Sequence, residues 1–122
     1  MAKLRFGIIG CGDIAANSFA PSLLKSSEAE LVAVCRRDLE KAKAFAQRFG
    51  GCAAYASVGE LLRDPAVEAV VVATPTDAHF SATLEAARLG KHVLCEKPMA
   101  HNAAECRAMI EACRAAGVKL GV

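Results

Sequence analysis

From Gly7 to Ala15 the chain reads GIIGCGDIA, which sets Gly10, Gly12 and Ala15 in a G-x-G-x-x-A spacing behind an apolar run and at the head of a helical pattern. Three small residues so spaced suit one task, holding a phosphate against a helix N-terminus. Gly10 permits the tight turn, Gly12 lacks the Cβ that a pyrophosphate would strike, and Ala15 lets helix and strand approach closely. The amides of Asp13 and Ile14 would point at the phosphates, where the helix dipole favours negative charge. Cys11, inside the turn, reads as a small filler, with an accessible thiol as the other reading. In a strand, turn and helix context this spacing marks a dinucleotide site rather than a merely structural turn.

Roughly twenty residues further on, a domain built for NAD carries Asp or Glu to accept from the ribose hydroxyls. Here the sequence is VAVCRRD, so Arg36 fills the acidic position and Arg37 follows it. A 2′-phosphate would meet guanidinium groups in place of a repelling carboxylate, which favours NADP over NAD. The alternative is that both arginines are ordinary surface residues and Asp38 reaches the ribose.

Two more segments lie where strands should end. VVVATPTDAHF closes an apolar run with Thr74, Pro75 and Thr76, and CEKP places Cys95, Glu96, Lys97 and Pro98 some twenty residues on. Taken alone, Lys97 reads as a solvated lysine and His79 as a polar residue in the first turn of a helix begun near Thr76. His92 and His101 read as structural or solvated, and Cys95, next to Glu96, reads like Cys11 as a small filler, with an accessible thiol as the other reading. The six cysteines form no CxxC pair, and no His/Cys pair has the local spacing of a metal site, so neither a disulfide framework nor a bound metal is expected.

The elements that must position these groups alternate from end to end as βαβαβαβαβαβ. Strands are expected at Leu4 to Ile9, Glu30 to Cys35, Ala53 to Tyr55, Ala69 to Ala73, His92 to Cys95 and Val118 to Val122. The second, fourth and fifth are too continuously apolar to have one wet face. Asp38 can cap a helix ending at Gly50, and Ser57 with Glu60, like Asn102 with Glu105, makes a capping box. The last helix should bury Cys106, Met109, Ile110 and Cys113 before Gly117 ends it. Pro21 predicts a kink or break in the first helix near Ala20. The expected architecture is α/β: one doubly wound domain over residues 1–122, a six-stranded parallel sheet in the order 3-2-1-4-5-6 within three αβα layers.

Composition agrees with this. Hydrophobic residues make 54% of the 122 and aromatics only 5%, so Ala and Val supply the core, as in parallel sheets covered by helices. A net charge of +2 leaves no nucleic-acid footprint. The start MAKLRFGIIG fits neither a signal nor a transit peptide, and Ala69 to Ala73, the longest aliphatic stretch, is far short of a membrane span. A cytoplasmic setting is expected, with no nucleic-acid or membrane partner.

The chain resembles the Gfo/Idh/MocA oxidoreductases in GIIGCGDIA, in the run ATPTDAHFSATLEAARLGKHVLCEKPMA and in the spacing between them, with AxxxGKHVxxEKP, ending here at Pro98, the most specific mark. The resemblance implies an NAD or NADP site and transfer of hydride between the nicotinamide and a hydroxyl or carbonyl carbon, commonly of a sugar or cyclitol. It implies that Lys97 sits near the nicotinamide and assists proton transfer, that Glu96 and Pro98 shape that corner, that Thr74 and Pro75 of the TPT segment, with Thr76, line the cofactor cleft, and that His79 lies near the nicotinamide ribose. Family members carry a further α/β domain with the substrate pocket, an aspartate and a histidine for proton transfer, and an oligomer interface. This chain is therefore expected to be an excised or truncated cofactor domain, inactive alone, with an apolar surface where the other domain would pack. The mean hydropathy of +0.30 fits such a surface, through which a homo-oligomer could form. A stand-alone module that senses a dinucleotide is the alternative, and a methyltransferase reading leaves the EKP corner unexplained.

Overall fold

Six strands alternate with helices in the computed structural model, which describes residues 2–10, 12 and 14–122. The strands are β1 (Leu4–Ile9), β2 (Ala29–Cys35), β3 (Ala53–Tyr55), β4 (Ala69–Val72), β5 (His92–Cys95) and β6 (Leu120–Gly121). They form one sheet in the order β3-β2-β1-β4-β5-β6, every pair parallel, as expected. The helices are α1 (Ala20–Lys25), α2 (Leu39–Arg48), α3 (Val58–Leu62), α4 (His79–Arg88) and α5 (Ala103–Ala116).

Alternate residues of the strands feed two separate cores. Ile8, Leu31, Val34 and Val71 pack with Ala15, Ala20 and α2 residues Phe45 and Ala46 on one face. On the other, Ile9, Val70, Val72, Val93 and Cys95 pack with Leu61 and Leu62 of α3, Ala82 and Ala86 of α4, and Met109 and Cys113 of α5. All four residues of β4 are buried, as a central strand covered on both faces requires. β5 departs from expectation. Its Leu94 is 36% exposed because α1 and α2, the helices on that face, pack over β2 and β3 and leave β5 bare there.

The caps act as the sequence suggests. Lys41 N donates to Asp38 Oδ1 at 3.2 Å, Glu60 N to the Ser57 hydroxyl at 3.2 Å, and Glu105 N to Asn102 Oδ1 at 2.8 Å. Gly117, at φ 72°, ends α5 in the left-handed conformation. Three expectations are corrected. Ile110 is 44% exposed, because the buried line of α5 runs through Met109 and Cys113 and leaves Ile110 on the outer edge. β6 is shorter than Val118 to Val122, because the Val118 amide closes α5 on Cys113 O and the Lys119 amide donates to His92 Nδ1. The first helix is not broken at Ala20; a π-helical turn over Ala15–Phe19 gives way there to α1, with Pro21 in its first turn, where a missing donor is tolerated.

Met109 is fully buried between α5 and the sheet. Met109→Ala is expected to cost about 2–5 kcal/mol in urea unfolding, since the rigid strands beneath it cannot close the cavity. An unchanged midpoint would mean that α5 is loosely docked.

Candidate functional site

The strand order reverses between β1 and β4, and the crevice outside the carboxyl ends of the strands at that point is where open α/β sheets bind ligands. A cleft of about 750 Å³ opens there. Gly10 and Gly12 line it after β1, Arg36 and Arg37 after β2, Ala56 and Ser57 after β3, and Thr74 and Pro75 after β4.

The two glycines answer to different masters. Gly10 has φ 93° and donates its N–H to Cys35 O at 3.2 Å, and a Cβ there would lie 2.9 Å from Ala73 O. The fold itself forbids a side chain at that position. Around Gly12 nothing lies within 4 Å of a Cβ, and its φ is not in the left-handed region. The protein has room for a methyl group at Gly12, so the described residues do not themselves require glycine there. Gly12 O accepts from Ala16 N at 3.0 Å, which starts the helix behind the turn. Ile14 is 46% exposed at that helix start. Cys11 and Asp13 lie outside the described residues.

At the other end of the cleft Arg36 is anchored by its N–H to Tyr55 O at 3.1 Å, and both arginine side chains are exposed toward solvent. Asp38, the rival for the ribose, uses its carboxylate to cap α2. Cys35 lines the cleft, and burial pushes its thiol up to about 11, with Glu60 adding to the rise and the Gly10 amide opposing it. The reactive thiolate is scarce below that value. Iodoacetamide at pH 8 is therefore expected to leave Cys35 unmodified in the folded protein, with labelling rising only in strong alkali; fast labelling at pH 8, read by peptide mass, would contradict this.

The EKP corner follows β5 and sits beside the end of β4, because Glu96 N continues the strand pairing onto Val72 O at 3.0 Å. Lys97 and Pro98 are exposed, and the peptide between them is cis. Cys95 is buried, its thiol raised to about 11 mainly by desolvation. Thr76 opens a 3-10 turn over Thr76–Ala78 ahead of α4. His79 is 1% exposed, with Nε2 2.9 Å from Thr74 O and Nδ1 2.9 Å from Pro98 O. Thr76, His79, Glu96, Lys97 and Pro98 are not among the residues that line the cleft.

Asp77 and Ala78, with Ala56, Ser57, Val58 and Cys35, line the cleft without having been singled out by motif. The signal that reaches them is positional, since most follow the carboxyl end of a strand. Asp77 also accepts from His101 Nε2 at 2.6 Å, so His101 is tied to the cleft rim. A second groove of about 430 Å³, lined by Leu23, Leu24 and Phe49, lies by the amino end of β2 and holds none of the motif residues. Among the described residues no group of three or more His, Cys, Asp or Glu side chains could hold a metal ion, and no helix is long and apolar enough to cross a membrane.

A glycine turn at the switch point, with Arg36 and Arg37 lining the same cleft, is the arrangement of a dinucleotide-binding domain. Residues 4–122 match the model of the oxidoreductase family with an NAD-binding Rossmann fold. The chain belongs to that family, the Gfo/Idh/MocA oxidoreductases, and is its NAD-binding domain. It is 49% identical over 119 residues to mouse trans-1,2-dihydrobenzene-1,2-diol dehydrogenase, covering 96% of this chain and 35% of that one. It is 45% identical over 114 residues to an uncharacterized oxidoreductase, ORF334, of Rhizobium meliloti, covering 93% and 34%. Among solved structures, KijD10, a 3-ketoreductase from Actinomadura kijaniata in complex with NADP and TDP-benzene, superposes with a TM-score of 0.94 at 34% identity, over 98% of this chain and 36% of that one. The WlbA dehydrogenase of Bordetella pertussis, in complex with NADH and UDP-GlcNAcA, gives 0.90 at 35% identity, over 98% and 36%. The chain thus spans about a third of the length of these relatives.

Proposed function

We propose that residues 1–122 are the cofactor domain of a longer, NADP-preferring oxidoreductase acting on a hydroxyl or carbonyl carbon of a sugar, cyclitol or related diol. The observation that carries this is the cleft that joins Gly12 to Arg36 and Arg37. When bound, the nicotinamide dinucleotide supplies or accepts the hydride. Gly12 admits the pyrophosphate to the backbone amides at the helix start, and Arg36 and Arg37 hold the adenosine 2′-phosphate. Thr74 and Pro75 wall the cleft, and the corner of Glu96, Lys97 and Pro98 faces the nicotinamide end. Lys97 would carry the proton that leaves or joins the substrate oxygen. The relatives' size supports the view that substrate is chosen by chain beyond this domain, whose bare β5 face at Leu94 offers a surface for that chain or for self-association. A cytoplasmic setting suits the buried thiols Cys35, Cys95 and Cys113.

Lys97→Met in the longer protein tests the assignment. Turnover should fall by roughly 10²–10⁴ with NADP affinity nearly unchanged, as expected for loss of a general acid/base group. Equal losses in both would make Lys97 a binding residue instead.

A further inference from the structure

His79 is a buried, charge-capable side chain beside the site, and it faces two acceptors. Its Nε2 lies 2.9 Å from Thr74 O and its Nδ1 2.9 Å from Pro98 O. Carbonyl oxygens only accept, so a ring with one N–H satisfies one of them and a ring with two satisfies both. Neither nitrogen is left to touch a cofactor. The two carbonyls belong to different strand ends: Thr74 to the cleft wall after β4, Pro98 to the corner after β5 that carries Lys97.

We propose that His79 is a positioning residue: its ring braces the Thr74 segment to the Pro98 corner and so sets where Lys97 stands over the cleft. The inference rests on the reading of Lys97 given above. Direct strand pairing supports the same junction only as far as Glu96 N on Val72 O. Beyond it Lys97 and Pro98 are exposed, and although His101 on Asp77 and the Cys95 thiol on Met99 O hold the chain that follows, the His79 ring is the contact that reaches Pro98 itself from α4. A brace seated at the helix start works because α4 is itself fixed, with Ala82, Thr83, Ala86 and Ala87 buried below it.

The test compares the protein with His79→Phe, which keeps a ring and removes both donors, and His79→Gln, whose carboxamide can still donate to one carbonyl. Lysines are reductively methylated with ¹³C-formaldehyde, the Lys97 signal is assigned with Lys97→Arg, and its response to NADP⁺ is recorded beside the dissociation constant. Loss of the Lys97 response in His79→Phe, with NADP⁺ still bound and partial recovery in His79→Gln, is the expected result. A role in folding alone would lower the melting temperature and leave that response intact, and a wild-type response in the folded variants overturns the proposal. If His79→Phe does not fold, His79→Gln carries the comparison. If the unsubstituted protein binds no NADP⁺, the reading of the cleft fails separately; the brace is then read from the His79 ring N–H signals without cofactor, where slow exchange with water upholds it and fast exchange overturns it.

Discussion

Gly12→Ala is expected to leave the protein folded and to weaken NADP binding by on the order of 100-fold, about 2.8 kcal/mol. The methyl group meets nothing within 4 Å among the described residues, so melting and urea unfolding should be unchanged or slightly improved. Its cost arises only when a pyrophosphate comes within contact of the turn. Gly10→Ala is the necessary contrast. There a Cβ sits 2.9 Å from Ala73 O at a backbone φ of 93°, so strain and collision together should remove about 3 kcal/mol or more of stability. Binding isotherms and urea curves on both variants separate the two demands. Equal affinity for Gly12→Ala and the unsubstituted protein would mean that the ligand does not pass over this turn.

The second large effect is expected from charge reversal at the adenosine end. Arg36→Asp puts a carboxylate at the end of β2, where it can accept from ribose hydroxyls and repels a 2′-phosphate. The ratio of NADP to NAD affinity should fall by roughly 100-fold, because a charge-assisted contact is lost and a repulsive one gained. Arg37→Ala should lower the same ratio by less. NADP affinity of the unsubstituted protein should also weaken with salt more steeply than NAD affinity, since partly exposed charges are screened. Asp38 also holds the Lys41 amide through Oδ1, so if it is the ribose reader instead, the ratio should survive Arg36→Asp and change with Asp38→Ala. A ratio that does not move on Arg36→Asp would remove the arginine pair from cofactor selection.

Most of this organisation was legible in residue types and spacing. The glycine turn, the arginines after β2 and the TPT and EKP segments all fall at carboxyl ends of strands, where the periodicity of the apolar runs puts them. The caps at Asp38, Ser57 and Asn102 could be read because their chemistry is local, a side-chain oxygen three residues ahead of an orphan amide. What escaped depends on contacts between distant segments. Nothing in the order of residues says that Ile110 falls just off the buried line of α5, or that no helix covers Leu94. The ring of His79 lies 2.9 Å from Pro98 O, 19 residues away, a contact between two loops that neither reading of that residue, cofactor neighbour or helix-start polar group, could supply. Ser57 and Asp77 entered the cleft by the same route, through loops that only the sheet order brings together.

The most direct measurement is calorimetric titration of the 122-residue protein with NADP and, separately, with NAD. Saturable binding of both at one site, tighter for NADP, is the result this account predicts, because the glycine turn, the arginine pair and the wall after β4 are all supplied by this chain. Binding of neither, by protein shown to be folded, would contradict it.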